Sequence, residues 1–289
     1  MKTGVNLMLW TGSFSRKDIP LIEKVRKIGF DSVELPLFNL SAVDVRSTKK
    51  ALADSGLGVT ACSVIPAGMS LISTNASKRK AAMDHMLATL DISKELGVEA
   101  IAGPLYSPVG ELVGRARNEA EWKNAVKSLR KLADRAEELD IRLAVEPINR
   151  FETYFLNICE DAVRLCKEVS SSHLGILYDT FHANIEEKDP VAALKKCGKY
   201  LFHVHTCEND RGIPGTGHVP WDATMKTLKS MGYKGYCTIE SFVPAIKELA
   251  AAAAIWRPLA KDGDDLARSG LKYLRKHISS NGRCGCRRR

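Results

Sequence analysis

The chain is 289 residues long, 45% hydrophobic and 27% charged, a composition that supports one large folded core and excludes a disordered or low-complexity protein. Its net charge of +9 includes Arg283, Arg287, Arg288 and Arg289 in the closing RCGCRRR; the remainder is mildly basic, without a Lys/Arg stripe interleaved with aromatics, which excludes nucleic acid as a partner. The longest apolar stretch, near 250–256, falls far short of the roughly 18–20 residues that cross a bilayer, and the strand-like GVNLMLW at the N-terminus lacks a cationic leader, so no membrane partner is expected and the protein is read as cytoplasmic.

Short β-rich runs alternate with amphipathic helical patterns from end to end. The runs predict strands over 4–10, 32–37, 59–65, 99–105, 142–147, 174–180, 200–207 and 235–241. Between them the spacing predicts helices near 18–28, 43–55, 77–96, 119–139, 159–169, 190–197 and 222–231, and a last one at 264–278. Gly29, Gly56, Gly97 and Gly232 each stand between a helix and the next strand, the stop signal of an α-to-β turn. The strands are nearly continuous apolar runs, as in a parallel sheet covered on both faces. Eight βα units without a linker predict one α/β domain, a single (β/α)8 barrel over 1–280, with a basic, mobile tail at 281–289. Cys62, Cys159, Cys166, Cys197, Cys207 and Cys237 are scattered as buried reduced thiols are, and the Cys284-x-Cys286 pair lacks the rest of a zinc site.

Four of the predicted strands end in a metal-binding side chain. The strings are LAVEPINRFE (143–152), LGILYDTFH (174–182), LFHVHTCENDRG (201–212) and YCTIESF (236–242), and the residues are Glu146, Asp179, His205 and Glu240. Barrel enzymes place their chemistry at the C-terminal strand ends, so these four are expected to converge on one ion. Three carboxylates and one imidazole form a hard donor set that suits Mn²⁺ first, with Co²⁺ or Mg²⁺ as alternatives, over structural Zn²⁺. Without a cation three gathered carboxylates would repel one another. His203 lies two residues before His205 on the same strand face, one layer deeper. Glu146 and Glu240 flanking a metal point to proton abstraction beside a carbonyl through an enediolate, one glutamate removing the proton and the other returning it to the opposite face. Spacing alone fits isomerisation equally.

The chain resembles the D-tagatose 3-epimerase family of ketose 3-epimerases, which includes D-allulose (D-psicose) and L-ribulose 3-epimerases. The resemblance runs from Leu9-Trp10-Thr11-Gly12 to the final helix. It is densest in EPINRFE (146–152), DTFHANIEE (179–187), HTCENDRG (205–212), GTG (215–217), ESF (240–242) and IWR (255–257). It implies a xylose isomerase-like barrel that inverts C3 of a free keto-sugar of the D-fructose/D-allulose, D-tagatose/D-sorbose or ribulose/xylulose type. It also implies a homodimer or homotetramer binding one divalent cation per subunit. By resemblance Glu146, Asp179, His205 and Glu240 match the metal ligands, and Glu146 and Glu240 the acid/base pair. Glu152, His182 and Arg211 match the groups that hold the first carbons and oxygens of the sugar. Departures fall where the far end of the sugar binds: Asn6 replaces an aromatic or histidine, Val109 a tryptophan of some relatives, and Ala183 a common methionine. Trp10, Phe14, Cys62 and Pro104 are expected to line that end with Asn6 and Val109. The competing readings are a metal-dependent sugar isomerase, an inosose dehydratase-like lyase and a non-enzymatic sugar-binding barrel. A multi-zinc DNA-repair barrel fails for want of histidines at the strand ends.

Overall fold

Eight strands lie side by side in chain order, and the eighth returns to the first, closing a parallel barrel. They are β1 (Lys2–Asn6), β2 (Ser32–Pro36), β3 (Gly58–Cys62), β4 (Ala100–Gly103), β5 (Arg142–Val145), β6 (Leu174–Asp179), β7 (Leu201–His205) and β8 (Tyr236–Ile239). The computed structural model describes residues 1–242 and 246–279. The tail expected at 281–289, with Cys284, Cys286 and its arginines, lies outside the described residues. Every residue of β2 and β6 is buried, because side chains inside the barrel and those under the helices are both withdrawn from water.

Around the barrel run α1 (Pro20–Ile28), α2 (Val45–Ser55), α3 (Ala76–Leu96), α4 (Glu119–Glu138), α5 (Cys159–Val169), α6 (Thr180–Glu186), α7 (Pro190–Cys197), α8 (Trp221–Ser230), α9 (Lys247–Ala252) and α10 (Gly263–Ser279). In α4 the buried residues Trp122, Ala125, Leu129, Leu132 and Ala136 recur at intervals of three and four, so one stripe faces the sheet. Each fully buried leucine there stabilises the fold by about 1.5–3 kcal/mol. Asn118 and Glu121 close a capping box at its start, which satisfies backbone donors the first turn leaves unpaired. Gly29, Gly56 and Gly97 end their helices in the left-handed region. The last helix is tied to the first strand's loop by Asp264, whose Oδ1 accepts from Trp10 Nε1 at 2.7 Å and from Lys24 Nζ at 2.8 Å. No helix among the described residues is long and apolar enough to cross a membrane.

Three local differences from the sequence reading have physical causes. The first strand stops at Asn6 rather than residue 10, because the Asn6 side chain accepts from Met8 N and caps a 3-10 turn over Leu7–Leu9. The third stops at Cys62, its last residue paired with β2, which itself ends at Pro36. Helix α6 was not anticipated: Asp179 ends β6 and its carboxylate caps the next turn by accepting from Phe181 N, leaving no breaker between strand and helix. At the end of β4, Gly103 has φ 131°, and a Cβ there would strike the Ser63 carbonyl oxygen, so only glycine lets the chain pass at this side of the mouth. Cys62, Cys159, Cys166, Cys197, Cys207 and Cys237 are buried free thiols.

Candidate active site

The four expected ligands are the last residues of β6 and β7 and the first residues past β5 and β8. Asp179 and His205 are register partners across β6 and β7, so neighbouring strands deliver them side by side. His205 Nδ1 stands 3.3 Å from Glu240 Oε1 and 3.9 Å from Asp179 Oδ2. Asp179 Oδ2 also accepts from Cys207 Sγ at 3.4 Å. Glu146 Oε1 lies 3.7 Å from His182 Nε2. Two sets of donor atoms, Glu146–Asp179–His182 and Asp179–Cys207–Glu240, each fall within 4.8 Å of one another and share Asp179. Glu146 Oε1 and His205 Nδ1 are buried without an aligned hydrogen-bond partner. Buried polar atoms left this way carry a penalty of about 1–3 kcal/mol, and crowded carboxylates add repulsion, so the donor set fits a divalent cation.

The electrostatics separate the two glutamates. Burial raises Glu146 well above the usual carboxylate range, and Glu240 and Asp179 reinforce it. Burial also pushes Glu240 upward, but the His205 ring and Arg211 outweigh it and leave Glu240 below its ordinary value. Asp179 is pushed up to about 6, chiefly by burial and by the charge of Glu240, against the pull of Arg211. His205 would lose its proton on burial alone, yet Glu240 and Glu34 hold it well above an ordinary histidine. His182 moves the other way, driven down by burial and by Arg211, so a neutral ring stands beside a permanent cation. Burial, Asp179 and Glu240 keep Cys207 a thiol.

Arg211 links the groups that trail the ligands. Its Nη1 donates to Glu240 Oε2 at 2.9 Å, and its Nη2 lies 3.3 Å from His182 Nε2 and 3.9 Å from Glu152 Oε1. The guanidinium is stacked between Phe181 and Phe242, 4.0 and 4.6 Å from the ring centres, which holds a buried cation where water cannot. Asn149 joins the remaining two: its N–H donates to His182 Nδ1 at 3.1 Å and its Nδ2 to Glu152 Oε1 at 2.8 Å. Arg211 adopts φ 62°, a left-handed conformation unusual outside glycine. Its loop is wound around fully buried Glu208, which accepts from Gly215 N, Val219 N and Trp221 Nε1 at 2.7, 3.0 and 2.8 Å. Side chains on Gly215 and Gly217 would strike Tyr273 and Asn209 respectively, a physical reason for the GTG string.

A cavity of about 360 Å³ opens over these groups, the size of a small-ligand pocket. Glu146, Glu152, His182, His205, Arg211 and Glu240 form its polar end, while Cys62, Pro104 and Val109 lie in its apolar wall with Phe38, Ile65 and Ile148. Asn6, Trp10 and Phe14 are not brought to this wall. Asn6 is fully buried and donates to Glu34 and Cys62, Trp10 is turned to Asp264, and Phe14 is in the core. His203 packs one layer down, its Nε2 2.7 Å from Glu34 Oε2. Glu34, Asn149 and Glu208 escaped the sequence reading. The signal for Glu34 was a lone acid inside an otherwise apolar strand, SVELP.

The model of the xylose isomerase-like TIM barrel family matches residues 22–277, and the chain belongs to that family. Its relatives define the particular class. It is 32% identical to a ketose 3-epimerase of Arthrobacter globiformis over 283 residues, covering 97% of this chain and 98% of the relative. It is also 32% identical to a probable ketose 3-epimerase of Synechocystis sp. over 281 residues, with the same coverage. The crystal structure of a D-allulose 3-epimerase from Methylomonas sp. in complex with D-allulose superposes with a TM-score of 0.91 at 28% identity, covering 96% of this chain and 97% of that one. The protein is therefore an isomerase-class carbohydrate epimerase, as the resemblance implied.

Proposed function

We propose that the protein inverts C3 of a free ketose, Glu240 taking the C3 proton from one face and Glu146 delivering another proton to the opposite face. The observation that carries this reading is geometric: two buried glutamates from different strand ends, Glu146 and Glu240, face one cavity together with His182, His205 and Arg211, the placement an acid/base pair requires. A divalent cation, Mn²⁺ first and Co²⁺ or Mg²⁺ as alternatives, held by Glu146, Asp179, His205 and Glu240, would polarise the ketose carbonyl and its neighbouring hydroxyl and so acidify C3–H. Glu240 accepts the C3 proton, and the electron pair of the broken C–H bond delocalises to the carbonyl oxygen, giving an enediolate. Glu146 returns a proton to the opposite face of C3, and the reverse reaction exchanges the two roles. Nothing is oxidised or reduced. Arg211, neutral His182 and Glu152 supply donors and an acceptor for the hydroxyls near the carbonyl. The apolar wall takes the far end of the sugar through contact alone.

The test is turnover in D₂O of Mn²⁺-loaded protein with D-fructose, D-tagatose, D-allulose and D- and L-ribulose. The reading expects deuterium at C3 and a C3-inverted ketose. Label at C1 or C2 with an aldose product would replace it with isomerisation. Sugar binding without exchange would leave a binding protein.

A further inference from the structure

Glu34, on β2, is fully buried, and both of its oxygens are engaged. Oε1 accepts from Asn6 Nδ2 at 2.8 Å and faces His205 Nε2 at 2.7 Å. Oε2 accepts from Thr60 Oγ1 at 2.8 Å and faces His203 Nε2 at 2.7 Å. Asn6, Glu34 and Thr60 are register partners on β1, β2 and β3, so one layer of the barrel interior presents a single carboxylate to two imidazoles of β7. An ionised carboxylate has no hydrogen to give. The His205 nitrogen facing it must therefore carry a hydrogen; in the neutral ring that a metal ligand requires, this leaves Nδ1 to present its lone pair toward Asp179 and Glu240. Nδ1 lies 3.9 and 3.3 Å from those carboxylates, beside the groups expected to share its ion.

We infer that Glu34 is the positioning residue of the metal centre, fixing His205 to coordinate through Nδ1 and strengthening that nitrogen as a donor. The inference rests on the metal reading proposed above and adds a division of labour to it. Strands β1–β3 contribute no ligand, yet they brace one across the barrel. A carboxylate behind a ligating imidazole fixes the ring and raises its basicity, and its loss commonly lowers metal affinity about 10–100-fold.

The test is titration of metal-free wild type, Glu34→Gln and Thr60→Val with Co²⁺ and Mn²⁺, following heat of binding and the visible spectrum of bound Co²⁺. In Glu34→Gln the amide nitrogen can settle beside Thr60, whose hydroxyl turns to accept, so the shape is kept while His205 loses its anionic partner. The expected result is a loss of affinity of about 10–100-fold with a shifted cobalt spectrum. Thr60→Val, which removes only a hydroxyl from the remote oxygen, is expected to lower the melting temperature and leave affinity and spectrum in place. Unchanged affinity and spectrum in Glu34→Gln would overturn the inference while leaving the metal site intact. Wild-type protein that takes up neither ion would remove the metal reading, and the role of Glu34 with it. Should Glu34→Gln fail to fold, ¹⁵N-histidine spectra of zinc-loaded wild type decide the matter. Hydrogen on His205 Nε2 and metal on Nδ1 supports the inference, and the reverse tautomer overturns it.

Discussion

The two sides of the barrel mouth carry opposite chemistry. Strands β5–β8 end in Glu146, Asp179, His205 and Glu240, and their loops add Glu152, His182 and Arg211. Strands β1–β4 and their loops present chiefly Phe38, Cys62, Ile65, Pro104 and Val109. On the charged side each group is held by named partners: Arg211 by two phenyl rings and Glu240, His182 by Asn149, His205 by Glu34. On the proposed reading, the apolar side would contact a ligand through shape alone. Such a division separates interactions made with the reacting atoms from those made equally with ground and transition states. Changes on one side should therefore alter turnover, and changes on the other should alter which sugar is preferred.

The strongest way to break this comparison is to neutralise one of the two carboxylates proposed to move the C3 proton. Glu240→Gln keeps shape and the contact with Arg211 but cannot take a proton, so kcat should fall by about 10²–10⁴-fold with the far-ultraviolet circular dichroism unchanged. Glu146→Gln should cost a similar factor. If either variant retained full C3 deuterium exchange, the charged side would be a metal platform with its base elsewhere.

Acidity sharpens the same side. Asp179 is raised from 3.8 to about 6 in the metal-free protein, so between those values the native state keeps a proton that the unfolded chain releases. Stability of the metal-free protein from this residue accordingly falls as pH rises through that window, by about 3 kcal/mol in all, and levels off above about pH 6. A cation needs the ionised carboxylate, so its affinity rises over the same interval. The gain in melting temperature from Mn²⁺ should be small near pH 5 and large near pH 7. Asp179→Asn should remove its share of this pH dependence and leave the share of Glu146; a Mn²⁺ gain equally large at both pH values in wild type would place the titrating groups outside the cluster.

Glu152→Ala tests the proposed sugar-holding role of Glu152, His182 and Arg211. Glu152 is partly exposed and bonded to Asn149, so folding should survive. Loss of a charged hydrogen bond costs about 1.5–3 kcal/mol, or roughly 10–150-fold in kcat/KM. Full activity would reduce Glu152 to a loop brace.

The same contrast explains what was legible in the sequence. Each of Glu146, Asp179, His205 and Glu240 announces itself locally, as a charged group ending an apolar run, and barrel topology then supplies their convergence. The strand order was readable for a related reason: each run is buried on both faces, and glycines such as Gly29 and Gly97 mark helix ends. Glu34 carried a weaker signal, a lone acid within an apolar strand, and its meaning depends on His205, 171 residues away. Glu208 is hidden likewise, since a carboxylate wrapped by its own loop looks in sequence like an exposed one. Trp10 and Phe14 failed as wall residues because an aromatic near a strand end reads the same whether it meets substrate or core. Asn6 turned inward because its amide serves Glu34 and a 3-10 cap at once. Helix α6 was obscured because Asp179 is both the end of a strand and an N-cap.

The smallest effect belongs to the apolar wall and is the most diagnostic of the division. Val109 is half-buried in the β4–α4 loop, and trimming it to alanine removes about 1 kcal/mol of contact, roughly a five-fold change in kcat/KM. Because that contact is made before and during proton transfer alike, the change should appear in KM with kcat preserved. It should also depend on chain length: a ketohexose long enough to reach Val109 should lose affinity, while a ketopentose such as ribulose should be nearly indifferent. Paired kinetics of wild type and Val109→Ala on D-fructose and D-ribulose measure both. An equal fall of kcat on the two sugars would mean that the apolar side positions C3 itself, and the separation of chemistry from fit would no longer hold.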